Sequence, residues 1–170
     1  MDQKQKVISI LHYAQEMELA GRDFYEEKGK IFSDPTTRNL FLNLADTEQE
    51  HYEIISNELK AYTEDPGSFA VSDTILSRDE SNIFMQREGS EALDTTLVES
   101  DVPDLTVMRM AYLIERDYKE FYDEAIDMVD EVNVKVLLKR LSDWELGHER
   151  LFKKEYDRLK KEYLTFPWGG

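Results

Sequence analysis

The sequence predicts an all-α protein: an antiparallel four-helix bundle made of two repeated helix pairs joined by a long crossover. Three observations carry this reading. Apolar residues recur at helical spacing over four long stretches, and no segment shows sustained strand alternation. The stretches come two and two, on either side of a polar segment at 63–102. The chain also repeats itself: a shift of 97 residues sets Ala14 on Ala111, Phe24–Tyr25 on Phe121–Tyr122 and Leu44 on Leu141, without a gap.

The first pair spans about 4–62. Val7, Ile10, Leu11, Ala14, Met17 and Tyr25 mark the stripe of its first helix, and Gly29 with Ser33–Asp34–Pro35 interrupts the chain. Asp34 suits an N-cap and Pro35 the first helical position of the second helix. That helix carries Leu40, Leu44, Ile55 and Leu59 inward and stops at Asp65–Pro66–Gly67. The crossover holds ten acids against two arginines and weak periodicity, so it is expected to be solvated, with a short helix near 78–90. Pro103 opens a third helix to about Met128, and a fourth runs from about Asn133 to Tyr163. A tail, 164–170, follows with Phe166 and Trp168, which are expected to pack back on the bundle or on a second subunit. Helices of about 25–30 residues at 1.5 Å each make rods of about 40 Å.

A chain of 170 residues reads as one domain with a sizeable core. Its net charge of −16 speaks against nucleic acid and anionic lipid as partners. No apolar run approaches the roughly 18–20 residues of a membrane span. The N-terminal segment has acids where a signal peptide would be apolar, so the expected location is the cytoplasm. There is no cysteine, which excludes thiolate metal ligands, iron–sulfur clusters and thiol catalysis within this chain.

The repeat also carries polar residues. Glu18 falls on Glu115, Glu48 on Glu145 and His51 on His148. Each half therefore has a Glu on its first helix and Glu-x-x-His on its second, thirty residues later. With 21 glutamates in 170 residues, a given histidine has one at −3 about one time in eight, so two matched pairs exceed chance. Glu48 and His51 lie one turn apart on a face shared with Leu44 and Ile55. Polar groups in an apolar stripe need partners, and four buried carboxylates repel one another. Two divalent cations would balance four carboxylates and leave both histidines neutral. Carboxylate oxygen with imidazole nitrogen suits iron, manganese or zinc.

A Glu from each of two helices and Glu-x-x-His from each of the other two resembles the ferritin-like di-iron carboxylate site. The segments AQEMELAGRDFY, LADTEQEH, AYLIERDYKEFY and LSDWELGH are similar to those of rubrerythrins. The resemblance implies a ferritin-like fold holding two metal ions, iron first, with Glu48 and Glu145 bridging. Glu18 and Glu115 would be terminal ligands, and His51 and His148 would each cap one metal. Tyr25 and Tyr122, seven residues after the helix glutamates, resemble tyrosines that orient carboxylates or donate protons. The implied activity is reduction of hydrogen peroxide, or handling of oxygen, with electrons from an external donor protein. Iron oxidation and storage, or a metal-binding structural or sensor role, are the alternatives, and a homodimer is the expected assembly. Two departures stand out. No rubredoxin-like cysteine set is present, and Tyr118 stands where many rubrerythrins carry an extra Glu, which should make the site more symmetric.

Other residues read as ordinary structure. His12 has no Glu at −3 and no repeat partner. Asp46 and Asp143 repeat and could orient a histidine, but they lie two positions off the Glu/His face.

Overall fold

The computed structural model describes residues 2–32, 34–81 and 102–165. Four long helices dominate it: α1 Gln3–Gly29, α2 Pro35–Glu64, α4 Val102–Met128 and α5 Val132–Thr165, with a short α3 at Asp73–Ser77. Among the described residues there is no strand. Local chemistry sets the helix starts. The Asp2 carboxylate accepts from the Gln5 backbone N–H at 2.7 Å and caps α1. Asp34 accepts from Thr37 N–H at 2.9 Å, with Pro35 in the first turn of α2. Asp65 ends α2, and its side chain accepts from Ser68 within a 3-10 turn at Pro66–Ser68.

The core divides into two apolar clusters, and their membership gives the topology. One joins Val7, Leu11 and Ala14 of α1 to Ile55 and Tyr62 of α2, Tyr122 and Ala125 of α4, and Leu137 and Leu141 of α5. The other joins Tyr25, Phe41, Leu44, Met108, Ala111, Leu151 and Phe152. The N-terminal half of α1 thus meets the C-terminal halves of α2 and α4 and the N-terminal half of α5. That is an antiparallel bundle with each helix pair packed along its length. In every long helix the repeated Glu and His positions fall between the two clusters, so the apolar layers close over a polar middle.

The crossover departs from expectation. Its first part does not stand in solvent. Phe69 and Ile75 are buried in the first cluster, and the chain runs along α5. The Asn133 side-chain amide donates to the Phe69 carbonyl at 2.6 Å, and Arg140 Nε donates to the Ile75 carbonyl at 3.3 Å. Two apolar anchors in a weakly periodic segment are enough to dock it. A short helix is described at Asp73–Ser77. Of the expected helix at 78–90, residues from 82 on lie outside the described residues, as do the tail residues Phe166 and Trp168.

Candidate metal centre

The six residues singled out by the repeat converge in the polar middle of the bundle. Glu18 comes from α1, Glu48 and His51 from α2, Glu115 from α4, and Glu145 and His148 from α5; each is 0 % exposed. They form two overlapping donor sets: Glu18, Glu48, His51 and Glu145, and Glu48, Glu115, Glu145 and His148. Within each set the donor atoms lie within 4.8 Å of one another. Glu48 and Glu145 belong to both, and they divide their oxygens evenly. His51 Nδ1 lies 3.6 Å from Glu48 Oε2 and 3.5 Å from Glu145 Oε1. His148 Nδ1 lies 3.4 Å from Glu48 Oε1 and 3.6 Å from Glu145 Oε2. Glu18 completes the first set at 3.4 Å from His51 Nδ1, and Glu115 the second at 3.2 Å from His148 Nδ1.

Two tyrosines fix the outer carboxylates. Tyr25 of α1 donates its hydroxyl to Glu115, and Tyr122 of α4 donates to Glu18, so each reaches across to the other helix pair. Phe41 and Phe152 pack on the Tyr25 ring at 5.7 and 5.4 Å between centroids and hold it in place.

The electrostatics are those of charge packed away from water. Burial, then Glu48, pushes Glu18 up to about 8. Burial and Glu48 likewise raise Glu115 well above the usual carboxylate range. Burial and Glu145 push Glu48 upward, but Glu18, His148 and His51 outweigh them and hold it low. Burial opposes charge on the histidines, yet the surrounding glutamates raise both well above 6.5, with Glu80 leading at His51 and Glu115 at His148. Burial raises both tyrosines far above 10, with Glu115 adding at Tyr25 and Glu18 at Tyr122.

The donors fit a pair of cations. Glu18 Oε2, both oxygens of Glu48 and of Glu145, and His51 Nδ1 are buried without any hydrogen-bond partner among the protein atoms. Buried polar atoms are ordinarily paired. Here six orphaned atoms cluster in one volume, which is what metal ligands need. Two doubly charged ions would cancel the four carboxylates.

One functional residue was invisible in the sequence. Glu80, from the crossover, is 7 % exposed and accepts from both histidines. Its Oε1 lies 2.7 Å from His51 Nε2 and its Oε2 lies 2.9 Å from His148 Nε2. Arg78 Nε donates to Oε1 at 2.8 Å, while its Nη2 reaches Glu50 at 2.6 Å. Burial alone would raise Glu80, but the histidines hold it far below the usual carboxylate range. Trp144 stacks on His51 at 4.9 Å and 18°, and His51 on His148 at 5.5 Å and 8°. No single-sequence signal marks Glu80, one acid among ten in its segment.

The remaining candidates stay apart. His12 is exposed and contacts Gln15 at 3.0 Å. Asp46 and Asp143 are exposed, the latter paired with Lys139. Tyr118 donates to the Met17 carbonyl at 2.6 Å and belongs to neither donor set.

Bundle and donor set together define a ferritin-like dimetal carboxylate protein. More closely, the rubrerythrin family model matches residues 9–156, and the chain belongs to the rubrerythrin family. Among solved structures, KatB, a manganese catalase from Anabaena PCC7120, matches with a TM-score of 0.64 at 18 % identity. The match covers 99 % of this chain and 77 % of that one, and it is a likeness of fold. No curated protein sequence gave a match. No helix among the described residues is long and apolar enough to cross a membrane.

Proposed function

We propose that Glu18, Glu48, His51, Glu115, Glu145 and His148 hold two iron ions and that the protein is a peroxidase reducing hydrogen peroxide. The observation that carries this is the even division of Glu48 and Glu145 between two histidines, with their oxygens otherwise orphaned. Oxygen and nitrogen donors without sulfur suit iron, and manganese or zinc would also fit. A ferrous pair, when bound, supplies the two electrons that, with two protons, convert one hydrogen peroxide to two waters. The chain's own residues do the rest. Glu48 and Glu145 set the spacing of the two sites. Tyr25 and Tyr122 keep a proton on the outer side of Glu115 and Glu18, in hydrogen bonds that fix how far each carboxylate can swing. The flanking apolar clusters keep bulk water from the polar middle. Electrons for the next turnover come from an external donor, since this chain has no cysteine to hold an electron-transfer centre of the thiolate type.

The test is anaerobic loading followed by mixing with peroxide. One peroxide should be consumed per iron pair within seconds, with no oxygen released. Release of oxygen would replace reduction by dismutation, which needs no donor. Growth of a mineral core in a large shell, seen by sedimentation, would replace it by storage. Less than about one ion per chain after loading would end every iron reading.

A further inference from the structure

Glu80 holds a place that no repeated residue can hold. The two halves of the site are related by an approximate two-fold axis, and Glu80 sits where that axis leaves the site on the histidine side. One oxygen serves each half. The pair of histidines thus meets one shared carboxylate, brought in by the crossover.

An ionised carboxylate only accepts hydrogen bonds. Both Nε2 atoms must then carry hydrogen when the imidazoles are neutral, and both Nδ1 lone pairs are left facing the glutamate oxygens. Each Nδ1 lies within 3.6 Å of three such carboxylates. The opposite tautomer would put a hydrogen where a metal must bind. Arg78 steadies Glu80 from outside and balances its charge, so two dications, four ligand carboxylates, Glu80 and Arg78 sum to zero. Among the described residues, a surface depression of about 470 Å³ adjoins Glu80, lined in part by Arg78, Arg140 and Trp144.

We propose that Glu80 is the positioning residue that sets the tautomer of His51 and His148 together, and thereby fixes the capacity of the site at two metal ions rather than one. This rests on the two-metal reading above. A purely structural role, as part of the Glu50–Arg78–Glu80 ion-pair chain, makes a different prediction. Loss of Glu80 would then lower stability and leave the two binding steps alike.

Glu80→Gln separates the two. The amide keeps the size but offers one acceptor oxygen and a donor nitrogen. It can satisfy one histidine in the metal-binding tautomer and turns the other around. Zinc or cobalt(II) titration of the wild-type chain should give two ions bound. In Glu80→Gln the first ion should bind as before, and the second should weaken by about 10–100-fold, the usual effect of losing such an outer partner. Asp157→Asn, an exposed carboxylate paired with Lys153 and outside both donor sets, should change neither step. A readout free of any variant is nitrogen NMR of histidine-labelled, zinc-loaded wild type, where both imidazoles should carry hydrogen on Nε2. Two ions bound at wild-type affinity in Glu80→Gln would overturn the proposal, and so would a wild-type histidine carrying its hydrogen on Nδ1. A wild-type chain that binds fewer than two ions would instead remove the two-metal reading, and this proposal with it.

Discussion

Tyr122 reaches from the second helix pair to donate its hydroxyl to Glu18 of the first, and Tyr25 returns the same bond to Glu115. The exchange staples the two halves at the level of the donor sets. Tyr122→Phe leaves a buried carboxylate oxygen without its donor, and such a loss costs about 1–3 kcal/mol. At about 2–4 °C per kcal/mol for a chain of this size, thermal melts should fall by several degrees. Tyr25→Phe should fall by a similar amount, and peroxide-driven oxidation of loaded protein should slow in both. Unchanged melts in both variants would show that the staple contributes nothing.

Glu145 separates stability from binding. Both its oxygens are buried without a hydrogen bond, 3.5 Å from His51 Nδ1 and 3.6 Å from His148 Nδ1. Glu145→Gln keeps the shape of the side chain and takes away a carboxylate ligand, and calorimetry of the metal-free and cobalt(II)-loaded forms separates its effect on folding from its effect on binding. The stabilisation by cobalt(II) should vanish. For wild type that gain is about 2.7 kcal/mol at a hundredfold excess over Kd. A variant that keeps the full cobalt-induced rise would exclude Glu145 as a ligand.

The parts that were legible in the sequence are those that repeat or act locally. Asp34 and Pro35 start α2 through bonds to neighbours within one turn. The six donors stand out because a shift of 97 preserves Glu and His on inward faces, where packing alone would keep only apolar residues. The crossover was misread because its two anchors, Phe69 and Ile75, are too few to make a period. Glu80 lies 29 and 68 residues from the histidines it serves, and only the docking of that segment along α5 brings them together. Trp144 was hidden for a related reason. Its repeat partner is Thr47, whose hydroxyl turns back to the Asn43 carbonyl, so the stacking on His51 belongs to one half alone.

The metal-free protein should lose stability as pH rises. Glu18 titrates near 8 in the fold against 4.5 when unperturbed, so between these values the native state keeps a proton that the unfolded chain has released. Glu115, His51 and His148 are raised as well and act in the same direction, each over its own window. Stability then falls with pH, by up to about 1.4 kcal/mol per pH unit for each such proton. Melts with chelator present should drop between about pH 5 and pH 8. Metal binding must expel these protons, so cobalt(II) affinity should climb over the same range. A metal-free melt that rises with pH would contradict the raised values at all four groups.

Gly21 and Tyr118 are repeat partners that touch each other. They lie 97 positions apart, on α1 and α4, and a Cβ on Gly21 would come 3.2 Å from the Tyr118 ring and 3.4 Å from its hydroxyl. Residues on the two-fold axis face their own copies, so the repeat has to break there: one side must be small if the other is large. The departure from the extra Glu of many rubrerythrins thus fills the axis on the carboxylate side, as Glu80 fills it on the histidine side. Tyr118 is pinned by its bond to the Met17 carbonyl and cannot swing away freely. Gly21→Ala would ordinarily stabilise a helix interior by about 0.8–1 kcal/mol. Here it should be neutral or destabilising alone, and stabilising by about 1 kcal/mol in a Tyr118→Ala background. A double-mutant cycle by urea unfolding measures the difference. Equal effects of Gly21→Ala in both backgrounds would show that the two partners do not restrain each other.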